Sequence, residues 1–307
     1  MQEGEIDRWP PFESKFDSSY VTLALLAGGK SSRFSGKDKQ FWPYRGEALG
    51  RIAAKNLLAS SVFASGHAKV LVVCEQEEKE PRVGEVQENL AYLNHTKLYK
   101  DLPVQVVFDR FPGVGPLGGL ATALYFSQTP WTYLVACDMP CFDDHWLNFL
   151  LERSKLQEAG RGASGSTPNS FYFLEMLGSS DSFQAIVAAH GAGYGLDPGS
   201  KAEPNAYCGT GHYKCEPFHA LYAKNLAPEL DRYLESCRAA GTIQDGSLKS
   251  FSIIDFLATI PCLRIPEEVV RRFTPDWGLF ANINTVEDAQ NFVSTRCETA
   301  TNSSRKC

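Results

Sequence analysis

The chain has 307 residues, of which 43% are hydrophobic and 21% charged, as is typical of a globular protein. Its formal net charge of −6 argues against a surface for nucleic acid or anionic membranes. No apolar stretch approaches the roughly 18 residues that a membrane span needs. The nine cysteines are scattered singly along the chain, which favours reduced thiols. We therefore expect a cytoplasmic protein with neither nucleic acid nor membrane as a partner.

Residues 1–19 are predicted to form an N-terminal tail, after which strand and helix patterns alternate. The apolar run at 21–26 predicts a strand that is buried on both faces, and residues 48–60 have helical spacing. Strand-like and helical segments then follow in turn at 70–73, 83–93, 104–108, 117–127, 133–137 and 143–158. This alternation predicts an α/β fold with a doubly wound, mostly parallel sheet of the Rossmann-like type.

The alternation breaks at residues 159–182 and 190–215, which are rich in Gly, Ser, Pro and Asn and are interpreted as insertions. Further strands are predicted at 183–189 and 218–222, and further helices at 226–238, 247–258 and 286–293. We expect one domain over residues 20–294 that contains both insertions, and a disordered tail over 295–307.

A Gly-rich loop at residues 26–39 directly follows the first predicted strand. Gly28 and Gly29 would let the backbone approach a ligand and point N–H groups at phosphate oxygens. Arg33 and Lys39 add cations at about the reach of a triphosphate. The spacing matches neither the Walker loop nor the Gly-x-Gly-x-x-Gly dinucleotide turn. Because open α/β sheets bind ligands at the carboxyl ends of strands, a phosphate-binding loop is favoured over a solvated surface loop.

A second segment begins with Asp109 at the end of a predicted strand and enters a helix through Gly115, Pro116 and Leu117. A carboxylate at this place could accept hydrogen bonds from a ribose or a base. Gly and Pro are also the usual residues of tight turns. The alternative that Asp109 is an ordinary turn residue therefore stays open.

A third segment, Cys137-Asp138-Met139-Pro140, follows the fourth predicted strand. One Asp can suffice for Mg²⁺, because the ion keeps waters and substrate phosphate oxygens as its other ligands. Taken alone, Asp138 also fits a loop before a Pro turn. The coincidence of three such segments at strand ends is a stronger signal than any one of them.

A fourth segment, 280–288, places Asn282 and Asn284 in alternation with apolar residues, so that both side chains could face one site. Thr285, with Asp288 three residues later, resembles a helix N-cap. Turn chemistry is the alternative explanation for the two asparagines.

Together these four segments resemble the molybdenum cofactor guanylyltransferases, which attach GMP to molybdopterin. Residues 26–39 are similar to that family's Leu-Ala-Gly-Gly-x-Ser-x-Arg…Asp-Lys signature. The Gly-Pro-Leu-x-Gly, Asp-Met-Pro and Asn-x-Asn-Thr-x-Glu-Asp elements correspond to 115–119, 138–140 and 282–288. They occur in the family's order, and the resemblance implies a fold like that of the nucleotide-diphospho-sugar transferases.

The resemblance also implies roles for individual residues and names the substrates, GTP and molybdopterin. Lys39, Asp138 and Arg33 would carry the catalysis, with Asp138 holding Mg²⁺, while the acceptor phosphate attacks the α-phosphorus in line and pyrophosphate leaves. Asn282 and Asn284 would lie toward the acceptor. The residues implied in nucleotide binding are Leu26, Ala27, Gly28, Gly29, Lys39, Asp109, Gly115, Pro116, Leu117 and Asp138. The resemblance further allows transient contact with other molybdenum cofactor proteins.

Three markers favour guanylyl over cytidylyl transfer. Related cytidylyltransferases tend to have Leu-Ala-Ala-Gly, Pro-Lys and Asp-x-Asp where this chain has Leu-Ala-Gly-Gly, Asp-Lys and Asn-x-Asn. Two positions depart from the guanylyl pattern: Phe34 replaces the usual Met, and Cys74-Glu75 stands where an Asn often reads guanine. The alternatives are a cytidylyl- or sugar-phosphate nucleotidyltransferase of the same fold, and a non-catalytic nucleotide-binding assembly protein. Retention of Lys39 and Asp138 argues against the latter.

Cys208, His212, Cys215 and His219 form a Cys-x₃-His-x₂-Cys-x₃-His pattern. Thiolates and imidazoles at such spacings can bind Zn²⁺. No standard finger spacing matches, and His219 falls in a predicted core strand. We favour a loop with ordinary Cys and His residues over a metal site.

Overall fold

The computed structural model describes residues 20–27, 39–74, 96–160, 183–190, 214–239, 252–285 and 287–288. The predicted tails at 1–19 and 295–307 and the predicted helix at 83–93 lie outside these ranges. So do most of the two predicted insertions and most of the predicted helix at 286–293. None of the helices in the described ranges has the length and apolar character that crossing a bilayer requires.

The described residues form nine strands, most of which overlap the segments predicted as strands. They are β1 (Val21–Leu26), β2 (Pro43–Tyr44), β3 (Glu47–Ala48), β4 (Ala68–Cys74), β5 (Gln105–Phe108), β6 (Trp131–Ala136), β7 (Ala185–His190), β8 (Lys214–Ala223) and β9 (Cys262–Ile265). The short hairpin of β2 and β3 was not predicted, since two-residue strands leave no periodicity to detect.

The α-helices are α1 (Leu49–Leu58), α2 (Ser61–Ala64), α3 (Pro116–Phe126), α4 (Asp144–Gly160), α5 (Ala227–Ala239), α6 (Ile253–Leu257) and α7 (Glu267–Val270). Short 3-10 turns occur at Lys39–Phe41, Lys224–Leu226 and Gly278–Phe280. The predicted helices at 48–60, 117–127, 143–158 and 226–238 are confirmed to within three residues at each end, which is the usual uncertainty of helix boundaries.

A seven-stranded sheet in the order β5-β4-β1-β6-β8-β7-β9 forms the centre of the fold. Strand β1 pairs in parallel with β4 and with β6. Strand β8 is antiparallel to both of its neighbours, while β7 and β9 are again parallel. The predicted mostly parallel, doubly wound α/β sheet is therefore confirmed, with β8 as the reversed strand.

Helices cover both faces of the sheet, and β1 shows how the sequence achieves this. Leu23 and Leu25 pack into the apolar layer that includes residues of α1, α2 and α4. Ala24 and Leu26 pack into the opposite layer, with α3, α5 and α6. Because successive side chains of a strand point to opposite faces, a strand buried on both sides has to be apolar throughout. The continuous apolar run at 21–26 meets this requirement.

Candidate active site

The carboxyl ends of β5, β4, β1 and β6 lie side by side at one edge of the sheet. Hydrogen bonds extend the sheet one residue past these strands. The Ala27 N–H donates to the Val73 carbonyl (2.8 Å), and the Cys137 N–H to the Leu26 carbonyl (2.9 Å). The Asp109 N–H donates in the same way to the last residue of β4 (2.9 Å). The ends of three predicted site segments are thereby fixed along one edge.

Lys39, Asp138 and Asn284 meet at this edge. The Lys39 Nζ donates to Asp138 Oδ2 (3.0 Å) and to Asn284 Oδ1 (2.8 Å). The Lys39 and Asp138 side chains are 21% and 18% exposed, so both are accessible to a ligand. In sequence, Lys39 is separated from Asp138 by 99 residues and from Asn284 by 245. The fold thus brings together a cation, a carboxylate and an amide from three of the four predicted segments.

The segment that carries Asn284 is attached to the backbone of Asp138. The Ile283 N–H donates to the Asp138 carbonyl (2.8 Å). The Ile283 side chain is fully buried and packs with Tyr44 of the β2–β3 hairpin and with Leu49 of α1. Apolar packing of Ile283 therefore sets the position of the neighbouring Asn284 amide.

Two hydrogen bonds with Asp288 also help to fix the backbone at Asn284. The Asp288 carboxylate accepts a hydrogen bond from the Asn284 N–H (2.9 Å), and the Thr285 hydroxyl accepts one from the Asp288 N–H (3.0 Å). The predicted capping of Asp288 by Thr285 is confirmed. Asn282, by contrast, is exposed, and within the described residues no hydrogen bond joins its side chain to Lys39 or Asp138.

Asp109 lies in a different environment. It is 9% exposed, and its Oδ1 accepts hydrogen bonds from the Phe111 N–H and the Thr122 hydroxyl (both 2.9 Å). Burial raises the pKa of the Asp109 carboxyl, while these two hydrogen bonds and the nearby Arg110 charge act to lower it. The carboxylate thus fixes the turn after β5, as the turn alternative predicted, and remains at the predicted nucleotide edge.

Glycines make this turn possible. Gly115, the residue before α3, has φ of 78°, a left-handed conformation that favours glycine. A Cβ on Gly118 would lie 2.7 Å from the Phe111 carbonyl oxygen and 3.1–3.2 Å from the Asp109 carboxylate oxygens. The first turn of α3 can therefore approach Asp109 only without a side chain at position 118.

Asp109 and Asp138 do not form one acid pair. They follow β5 and β6, which are three strand spacings apart in the sheet. At about 4.8 Å a spacing, the separation is on the order of 14 Å. That distance suits two ends of one extended ligand, with Asp138 and Lys39 at one end and Asp109 at the other.

The match to a family model connects this geometry with known proteins. Residues 23–246 match the model described as the MobA-like NTP transferase domain. The match covers more than two thirds of the chain. The chain belongs to the MobA-like NTP transferase family.

Relatives in this family align over nearly the whole chain. A molybdenum cofactor guanylyltransferase of Syntrophotalea carbinolica is 26% identical over 273 residues, which cover 89% of this chain and 90% of the relative. A probable molybdenum cofactor guanylyltransferase of Peptoclostridium acidaminophilum is 23% identical, with 89% and 88% covered. The chain is thus a nucleotidyltransferase of the MobA-like family.

A solved structure shows the same fold. It is that of molybdopterin-guanine dinucleotide biosynthesis protein A from Archaeoglobus fulgidus, with a TM-score of 0.54 and 19% identity over 90% of this chain and 99% of that one. The fold expected from the sequence, similar to that of the nucleotide-diphospho-sugar transferases, is confirmed.

Five further predicted site residues of this MobA-like chain fall in two groups. Gly28, Gly29 and Arg33 lie outside the described residues. Leu26 and Ala27 are buried at the end of β1, where the Leu26 carbonyl and the Ala27 N–H already bond within the sheet. The side chains of Leu26 and Ala27 thus belong to the buried carboxyl end of β1.

The Cys/His pattern is divided by the fold. Cys208 and His212 lie outside the described residues. Cys215 and His219 are both in β8, whose pairing with β7 shifts register between Ile186 and Ala188. Cys215 packs into the apolar layer with α3, whereas His219 contacts Tyr133, whose side chain belongs to the other layer. Burial lowers the pKa of His219 to about 3. Among the described residues, no three His, Cys, Asp or Glu side chains are grouped so that they could hold a metal ion.

Sequence reasoning did not single out Thr122 of this MobA-like chain. It lies 13 residues after Asp109, and its hydroxyl bonds the Asp109 carboxylate. The available signal was a single polar residue in the apolar stretch 117–124. Chain position alone does not say that such a hydroxyl faces the preceding turn.

Proposed function

We propose that the chain transfers GMP from GTP to molybdopterin in the cytoplasm, in a Mg²⁺-dependent reaction that releases pyrophosphate. Two relatives that align over about nine tenths of both chains carry the name molybdenum cofactor guanylyltransferase. The Leu-Ala-Gly-Gly, Asp-Lys and Asn-x-Asn markers support guanylyl over cytidylyl transfer.

The observation that carries this proposal is the cluster of Lys39, Asp138 and Asn284. A phosphoryl-type transfer is catalysed mainly by positioning and by stabilising the charge that develops on phosphate oxygens. The cluster supplies a cation for those oxygens and a carboxylate for a metal ion, at the edge where open α/β sheets bind their ligands. A non-catalytic binding protein has no need for this combination of charges.

The donor atoms near Asp138 fit Mg²⁺, which prefers oxygen ligands. Asp138 Oδ1 accepts no hydrogen bond from another described residue, and Asn284 presents its amide oxygen to the same cluster. When bound, Mg²⁺ would supply positive charge that polarises the α-phosphoryl group and stabilises the leaving pyrophosphate. We propose Asp138 as the protein ligand of this ion.

The roles of the chain's own residues follow from their positions. Lys39 would neutralise the triphosphate, and Asn284 would hold the Lys39 ammonium in place. An oxygen of the molybdopterin phosphate forms the new bond to the α-phosphorus, while the bond from that phosphorus to the β-phosphate's bridging oxygen breaks. The acceptor brings the nucleophile, so the reaction requires none from the protein.

The nucleoside would lie toward Asp109, Gly115, Pro116 and Leu117, on the order of 14 Å along the sheet edge from Asp138. Arg33 and the backbone of Gly28 and Gly29 would complete the phosphate site, and Asn282 would face the acceptor. The family match ends at residue 246, but Asn284 completes the cluster. We therefore propose that the catalytic domain extends over residues 20–294.

Nucleotide selectivity is the first test. The thermal stability of the chain would be measured with GTP, CTP and ATP, each with and without Mg²⁺. A preference for GTP that requires Mg²⁺ is expected. A preference for CTP would overturn the guanylyl assignment, and no stabilisation by any of the three would overturn the enzymatic one.

Product formation is the second test. GTP labelled at the α-phosphate would be incubated with molybdopterin and Mg²⁺, and label would be followed into the dinucleotide while pyrophosphate is counted. One pyrophosphate per labelled product is expected. The Asn282→Ala variant should raise the KM for molybdopterin and leave GTP affinity unchanged. An unchanged molybdopterin KM would remove Asn282 from the acceptor site.

A further inference from the structure

Thr122 is a buried hydroxyl in an otherwise apolar part of α3. Its side chain is fully buried, and its neighbours Ala121 and Ala123 belong to the apolar core. The hydroxyl donates to Asp109 Oδ1 (2.9 Å) and accepts from the Arg110 N–H (2.9 Å). Thr122 therefore joins the middle of α3 to the turn after β5 through two hydrogen bonds.

The two oxygens of Asp109 differ as a result. Oδ1 accepts from both the Phe111 N–H and the Thr122 hydroxyl. Oδ2 accepts no hydrogen bond from any other described residue and lies over Gly118, the close-packed glycine in the first turn of α3. An ionised carboxylate can only accept hydrogen bonds. Oδ2 is thus a single acceptor of fixed direction at the sheet edge.

We propose that Thr122 is a positioning residue for nucleotide binding, which fixes the Asp109 carboxylate so that Oδ2 accepts one hydrogen bond from a hydroxyl or N–H of the bound nucleoside. This inference rests on the proposed nucleotidyltransferase function, in which Asp109 lies at the nucleoside end of the site.

The physical argument is one of pre-organisation. A carboxylate whose side chain rotates freely loses conformational entropy when it binds a ligand. A carboxylate that is already held in one rotamer does not have this loss on binding. The Thr122 hydroxyl also favours the ionised, accepting form, because it donates to the charged carboxylate. Removal of the hydroxyl would therefore weaken binding twice, by loosening Asp109 and by raising the pH at which it ionises.

The charges around Asp109 are themselves fixed. Arg110, which lowers the pKa of the carboxyl, is held by Asp231 of α5 through three contacts of 3.2 Å. The guanidinium also lies over the Tyr125 ring, 3.9 Å from its centroid. Thr122 bonds only the backbone N–H of Arg110, so Asp231 and Tyr125 still hold the guanidinium when position 122 is changed.

The test compares Thr122→Val with Thr122→Ser. Valine has the shape of threonine without the hydroxyl, and serine keeps the hydroxyl. The affinity for GTP with Mg²⁺ would be measured by calorimetry between pH 5 and 8, together with KM and kcat. We expect Thr122→Val to weaken binding by roughly tenfold, to leave kcat at saturating GTP within about twofold, and to move the loss of affinity on acidification to higher pH. Thr122→Ser should bind as the wild type does.

Equal losses in the valine and serine variants, or no loss in valine, would overturn the role of the hydroxyl. If Thr122→Val does not fold, Asp109→Asn tests the other half of the proposal, the acceptor role of Oδ2, because its amide oxygen can still accept from Thr122 while an NH₂ replaces Oδ2. Unweakened binding in that variant would overturn the proposal. If the wild type prefers CTP, the guanylyl assignment fails, and the comparison at position 122 is made with CTP. If it binds no nucleotide, both proposals fail.

Discussion

Two carboxylates at the same edge of the sheet, Asp138 and Asp109, are held in opposite ways. Asp138 is partly exposed and paired with the charged Lys39, and its partners come from 99 and more residues away along the chain. Asp109 is buried and held by neutral donors that lie within 13 residues of it. The first arrangement depends on the assembled fold, whereas the second is local.

This difference suggests that the two carboxylates have different roles in the proposed reaction. A partly exposed carboxylate with a cationic partner can exchange contacts with a metal ion and phosphates as charge develops. A buried carboxylate with one oxygen held by local hydrogen bonds stays in one place and can only orient a ligand through its other oxygen. Changes near Asp138 should therefore lower kcat, and changes near Asp109 should affect nucleotide affinity and stability.

The largest expected effect is at Asp138. Asp138→Asn keeps the side-chain shape but removes the charge that would hold Mg²⁺, so transfer should fall by about 100- to 1,000-fold, with the thermal unfolding temperature little changed. Steady-state kinetics at saturating GTP would measure this. Asp143→Asn is the matched control, because Asp143 accepts from the Trp146 N–H at the start of α4 and asparagine caps helices equally well. Full activity in Asp138→Asn would contradict the metal assignment.

A double-mutant cycle would show whether Asn284 acts through Lys39. Lys39→Met should lower kcat by about 100-fold and Asn284→Ala by about tenfold. The double variant should be no worse than Lys39→Met, because the amide has no ammonium left to orient. If the loss in kcat of the double variant equals the product of the two single losses, Asn284 acts independently of Lys39, for example directly on substrate.

The local character of the Asp109 turn predicts a contrast between adjacent glycines. Gly118→Ala would place Cβ 2.7 Å from the Phe111 carbonyl oxygen, a backbone atom, whereas Gly119→Ala would meet only the side-chain tip of Leu26 at 3.0 Å. We expect Gly118→Ala to lower the free energy of unfolding by about 1–2 kcal/mol and Gly119→Ala to leave it nearly unchanged. Urea denaturation would measure both. Equal effects would show that the close approach at position 118 is easily relaxed.

The smallest expected effect concerns the pH dependence of stability. The folded-state pKa of Asp109 is raised above its ordinary value of 3.8. At a pH between the unfolded-state and folded-state pKa of Asp109, the folded state binds more protons than the unfolded state. The free energy of unfolding therefore falls as pH rises through that window, and it stays lowered at neutral pH. Asp109→Asn removes the buried charge, and its free energy of unfolding at pH 7 should equal or exceed the wild-type value by up to about 1 kcal/mol. A large loss of stability at pH 7 would show that the ionised carboxylate is needed for folding.

Much of the fold followed from local pattern. A strand buried on both faces must be apolar throughout, so the run at residues 21–26 indicated an interior strand of the sheet. The alternation of strands with helices indicated that the sheet is mostly parallel. The reversal of β8 did not follow, because strand direction depends on how the chain crosses the sheet. The β2–β3 hairpin was missed because two-residue strands carry no periodic signal.

The candidate site divides in the same way. The sequence by itself determined which segments end parallel strands, and therefore that Asp109 and Asp138 lie along one edge, because hydrophobic periodicity and turn residues are local properties. Only the tertiary structure decided that Asn284 meets Lys39 across 245 residues, that Asn282 does not, and that Thr122 holds Asp109. Such contacts depend on how apolar residues such as Ile283 pack between distant elements, and no local pattern encodes that packing.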